Sequence, residues 1–195
     1  ALEVFFGLWS DSLALLADAG HNLADVLGLV LAWVATLLIK KTATERRTYG
    51  WRRSTILAAL FNAVLLLVGV GGIVWEAIGR LSDPAPVSGP VVAWVAAAGI
   101  LVNGFTAWLF LSGRKDDLNV RGAFLHMAAD AGVSLGVMVS GIVIFFTGWV
   151  ILDPVVSFVI AGLILWSTWG LFFESLDLSL DAVPAGIDPA AVRAY

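Results

Sequence analysis

Residues 13–39 read LALLADAGHNLADVLGLVLAWVATLLI, and this stretch decides the fold. It is longer than the roughly 20 apolar residues a helix needs to cross a bilayer. It also holds Asp18, His21 and Asp25, spaced by three and four positions, which on a helix fall along one stripe. An ionisable side chain in hydrocarbon costs about 2.5 kcal/mol or more, so such residues face a partner or a cavity. The chain has two histidines; the other, His126, stands four positions before Asp130 in an equally apolar run. Two helices with the same His-x-x-x-Asp order, turned toward each other, present two imidazoles and two carboxylates to one point. That donor set balances one divalent charge and suits Zn²⁺, with Co²⁺ and Cd²⁺ as the other borderline candidates, whereas Mg²⁺ and Ca²⁺ prefer oxygen shells. A plain polar stripe joining helices by hydrogen bonds is the competing reading. The repeated pattern favours the metal.

Working outward, the chain has the composition of a multi-spanning membrane protein. It is 60% hydrophobic and 13% charged, with a mean hydropathy of +0.95. No cysteine is present, so thiolate ligands and disulfides are excluded. Ala1–Trp9 reads as the tail of a first span truncated upstream. The later spans are expected over Leu13–Ile39, Ser54–Ile78, Val91–Leu111, Val120–Phe146 and Asp153–Phe173, making an all-α six-transmembrane-helix bundle. Polar turns separate them: Ser10–Ser12, the proline-bearing Arg80–Pro90, and Thr147–Trp149. Residues 1–175 form the transmembrane domain, and 176–195 a linker into a cytoplasmic domain.

Of eleven Lys and Arg, six lie in Lys40–Arg53, where Tyr49 and Trp51 are interfacial anchors, and three in Arg114–Arg121. The positive-inside bias places both loops and both termini in the cytoplasm. Asn22 sits beside the first polar stripe. Asn62, Gly69, Gly72 and Glu76 share a face of the third span and are expected to pack closely along the glycines. Gly132, Gly136 and Ser140 form a similar strip on the fifth span. Asp153, followed by Pro154, is expected to cap its own helix. Asp18, Asn22, Asn62 and Asp153 are candidate accessory or proton-pathway residues.

Several segments together resemble the cation diffusion facilitator family of metal transporters, in its zinc-type branch. They are Ser12–Asp25 (SLALLADAGHNLAD), Tyr49–Arg53 (YGWRR) with Ala58–Asn62 (AALFN), Trp75–Leu81 (WEAIGRL), Asn119–Asp130 (NVRGAFLHMAAD) and Leu152–Pro154 (LDP). The resemblance implies a homodimer of six-helix protomers in a membrane, exporting Zn²⁺ from the cytoplasm in exchange for H⁺ by alternating access. It places the metal on His21, Asp25, His126 and Asp130, the residues that spacing alone selects. It also implies preference for zinc over cadmium from a histidine at position 21, and a cytoplasmic metal-binding domain after Ile187–Arg193. The loop Ser112–Asn119 lacks histidine, which points to a bacterial inner membrane. Neither an enzyme nor a nucleic-acid partner is expected. An intramembrane metalloenzyme would show His-Glu-x-x-His, which is missing. A metal-responsive sensor or scaffold without transport is the remaining alternative.

Overall fold

The computed structural model describes residues 2–42, 45, 50–115, 117–183 and 187. Tyr49, Arg46, Arg47 and most of the expected linker therefore lie outside the described residues. The described chain is all-helical: α1 (Leu2–Ser10), α2 (Leu13–Ile39), α3 (Ser54–Ser82), α4 (Gly89–Phe110), α5 (Leu118–Thr147) and α6 (Leu152–Ser179), with a turn of 3-10 helix at Gly113–Lys115. Five of these, α2 to α6, are long and apolar enough to cross a membrane. Their outward faces suit lipid: Trp75, Trp94 and Trp166 are 75–81% exposed. Alpha-helices fit this setting because every backbone polar group is satisfied within the span.

The helix bounds follow local chemistry. Asp11 takes a left-handed φ of 53° between α1 and α2. The Arg80 guanidinium holds that turn, donating to the Asp11 carbonyl at 2.5 Å and its carboxylate at 2.7 Å. Gly148, at φ 71°, closes α5 in the tight turn expected there. Two helices run past the ends expected from hydropathy. α3 continues to Ser82, with Glu76 accepting from Arg80 at 3.0 Å one turn on, and α6 continues through Glu174 to Ser179. Hydropathy marks where lipid ends, and a helix need not stop there.

The chain divides into two compact units, residues 1–23 with 69–163 and residues 24–68 with 164–195. In the first, α4 and α5 meet backbone to backbone. A Cβ at Gly89 would lie 2.5 Å from the Gly141 carbonyl oxygen, and one at Gly141 would lie 2.8 Å from the Ala93 nitrogen. Only glycine permits that approach. Val92, Ala96 and Val137 are fully buried in this unit. The expected glycine strips do not make it: a Cβ at Gly69, Gly72, Gly132 or Gly136 would meet no atom within 4 Å. Spacing shows that a helix has a small-residue face, but the partner's register decides which glycines are used.

Asp153 is also corrected. It lies inside the first turn of α6, and its carboxylate caps α2. It accepts from the Ser12 hydroxyl at 2.5 Å and from the Leu13 and Ala14 amides at 2.7 and 3.3 Å. Ser12 in turn accepts from the Leu15 amide at 3.2 Å, as an N-cap hydroxyl does. In the second unit, Asn62 of α3 lies over Gly28 of α2, where a Cβ would be 2.8 Å from Nδ2. Ser54 donates to the Ala35 carbonyl at 3.1 Å, and Arg53 grips both Asp181 oxygens at 2.6 and 2.8 Å.

Candidate functional site

The first polar stripe occupies the opening half of α2, whose Leu13, Ala14, Leu15 and Ala17 are buried. That packing fixes the rotation of the helix and so the direction of Asp18 and His21. On α5, Asp130 is 3% exposed, and the same inward face carries the buried Ser134 one turn later.

Within the first unit, His21 Nε2 lies 3.6 Å from Asp130 Oδ1, and His126 Nε2 lies 3.6 Å from Oδ2 of the same carboxylate. The two imidazole rings stand nearly perpendicular, their centroids 6.2 Å apart. Asp130 thus sits between two histidines, one oxygen turned to each. The His21 side chain is 15% exposed, whereas that of His126 is 46% exposed. Asp25 follows His21 by one turn on α2, in the stretch that belongs to the second unit.

Of the expected accessory residues, Asp18 is 1% exposed and accepts from the Ser134 hydroxyl at 2.8 Å. Asn22 donates to Glu3 of α1 at 3.2 Å. Asn62 is engaged with Gly28, and Asp153 with the start of α2. Glu3 and Ser134 were not singled out from the sequence. Glu3 is the one ionisable residue among apolar neighbours in the first nine positions, and Ser134 is one turn beyond Asp130. Ser134 could have been found by asking which polar groups share the helical phase of Asp130.

The arrangement is chemically specific. Spacings of 3.6 Å exceed the roughly 2.7–3.2 Å of a good hydrogen bond. They lie near the ~3.4 Å edge of a tetrahedron whose bonds to the centre are about 2.0–2.2 Å.

The model of the cation efflux transmembrane domain matches residues 1–178. The zinc transporter ZitB of Escherichia coli (strain K12) is 41% identical over 193 residues, covering 98% of this chain and 62% of ZitB. The cadmium, cobalt and zinc/H(+)-K(+) antiporter of Bacillus subtilis (strain 168) is 37% identical over 189 residues, covering 96% of this chain and 61% of that protein. The cation efflux system protein CzcD of Alcaligenes sp. (strain CT14) is 38% identical over 191 residues, covering 98% and 60%. The chain therefore spans about three fifths of the length of the curated relatives it matches. With its apolar helices and a family match over nearly its whole length, this chain belongs to the cation efflux family as an integral membrane protein carrying that family's transmembrane domain.

Proposed function

We propose that this chain is the membrane part of a secondary transporter that exports Zn²⁺ in exchange for protons by alternating access, with His21, Asp25, His126 and Asp130 as ligands to the ion. The observation that carries this reading is the Asp130 carboxylate set 3.6 Å from an imidazole Nε2 on either side. A dication entering there meets nitrogen and oxygen donors near tetrahedral spacing, and two carboxylates neutralise it. The printed names of the relatives, a zinc transporter and a cadmium, cobalt and zinc/H(+)-K(+) antiporter, point the same way. Co²⁺ and Cd²⁺ are secondary substrates in this reading. The protein works as a homodimer in the bacterial plasma membrane, with the basic loops and both termini in the cytoplasm. Residues 1–175 form its transmembrane domain, and 176–195 link to a cytoplasmic domain.

Proton coupling follows from the ligands. Imidazole binds metal only when neutral, so protons and zinc compete for the site. Zinc affinity is therefore expected to fall as the pH is lowered and the histidines take up protons, by up to about tenfold per pH unit for each histidine. Zinc titrations from about pH 8 down to about pH 5 will show this slope, and a flat profile would remove the histidines from the site.

The deciding experiment is zinc flux into proteoliposomes under an imposed pH gradient. Asp25→Ala is expected to abolish flux, and His21→Asp to raise cadmium transport relative to zinc. Flux that survives Asp25→Ala would mean the ligands lie elsewhere. Zinc binding without flux in the wild type would make the protein a sensor.

A further inference from the structure

We propose that Glu3 and Asp18 belong to a second intramembrane cluster in which one of the two carboxyl groups holds a proton, apart from the His21–Asp130 group. Four helices of the first unit meet there. α1 brings Glu3, α2 brings Asp18 and Asn22, α5 brings Ser134, and α4 turns Gly99 toward them. Asn22 Nδ2 donates to Glu3 Oε2 at 3.2 Å, and Ser134 Oγ donates to Asp18 Oδ2 at 2.8 Å. The two halves approach each other at Gly99: a Cβ there would lie 2.9 Å from Glu3 Oε1 and 3.1 Å from Ser134 Oγ. Glu3 and the serine that binds Asp18 thus line the same gap.

A second observation concerns Asp18 itself. It is 1% exposed, and its Oδ1 is buried with no hydrogen-bond partner. A buried carboxylate oxygen left without a donor is costly, on the order of 1–3 kcal/mol or more for a charged group. The surroundings offer no fixed cation. α1, α2 and α4 carry no lysine or arginine, and Glu3 is the only ionisable residue on α1. α4 carries no ionisable residue, and the ionisable groups nearest along α2 and α5 are His21 and Asp130, each a turn away in sequence. Two carboxylates confined in apolar surroundings do not both stay ionised; one takes a proton, or a cation settles between them. A proton on either carboxyl turns an acceptor into a donor, the group that Asp18 Oδ1 lacks.

The residence of this proton stands on the cluster alone; its use in exchange rests on the zinc–proton reading above. The test is infrared spectroscopy of the full-length protein in lipid, following the C=O band of a protonated carboxyl through a pH titration. The wild type is expected to show the band near neutral pH, and the double variant Glu3→Gln/Asp18→Asn to lose it. Should the double variant not fold, Glu3→Gln suffices, since its amide oxygen still accepts from Asn22. Removing the neighbouring acid is expected to move the titration of any remaining band. A wild type without the band, a double variant that keeps it, or a titration unmoved in Glu3→Gln each overturns the proposal. For exchange, the double variant is expected to transport fewer protons per zinc, read from the pH gradient at which zinc flux reverses; an unchanged ratio would overturn that role. His21→Ala separates the two readings: it should abolish zinc flux and leave the band in place. Zinc flux persisting in His21→Ala would sink the ligand assignment, whereas loss of the band there would sink the separate proton site.

Discussion

The seam between α4 and α5 and the opening half of α2 lie in the same unit and are held by opposite means. At Gly89 and Gly141, backbone meets backbone with no side chain between, so the two helices have one register and one distance. α2, besides burying Leu13, Ala14, Leu15 and Ala17, is tied by polar bonds: Ser12, Leu13 and Ala14 to Asp153, Asp18 to Ser134, and Asn22 to Glu3. Close-packed contacts are satisfied in a single arrangement. Polar bonds can be exchanged for water, a proton or a metal at little net cost. The helix that carries His21 is therefore the one whose contacts can be remade, and α5 offers its half of the candidate site from a fixed mount.

The comparison can be broken from either side. The largest effect on stability is expected from Asp153→Ala, which leaves the Ser12 hydroxyl and the Leu13 and Ala14 amides without their acceptor. At about 1–3 kcal/mol for each orphaned buried group, several kcal/mol are at stake, read as a lower thermal midpoint in detergent. Next is Gly141→Leu, which forces α4 from α5 at a cost of about 1–3 kcal/mol or more. Its midpoint should fall even when substrate is bound; an unchanged midpoint would show that the seam can yield. The smallest effect belongs to Gly136→Ala on the same helix, where a Cβ meets nothing within 4 Å. It should be neutral, or stabilising by up to ~1 kcal/mol through helix propensity. A loss there would mean that a surface absent from a single protomer packs on that face.

Much of this was legible in the sequence. The bounds of α2 coincide with the apolar run 13–39, because the flanking Asp11–Ser12 and Lys40–Lys41 are unambiguous punctuation. His21, His126 and Asp130 come together as their spacing implied, since a stripe of ionisable groups in lipid has few places to turn. What was hidden depends on partners distant in sequence. Asp153 before Pro154 has the form of a local cap, and nothing near it reveals that the amides it serves belong to another helix. Gly89 and Gly141 carry no more local signal than Gly132 and Gly136; facing register separates them. Glu3 was passed over because a lone acid in a short apolar run has no periodicity to assess.

The Asp153 cap also bears on how the protein is made. Ser12 and its acceptor are 141 positions apart, so α2 enters the membrane long before the group that completes its first turn has been synthesised. Until α6 arrives, the amides at the head of the His21 helix must rely on water or the insertion machinery. Biogenesis thus leaves the helix of the candidate site unfinished until the last described span is in place, and assembly of that candidate site becomes a late event.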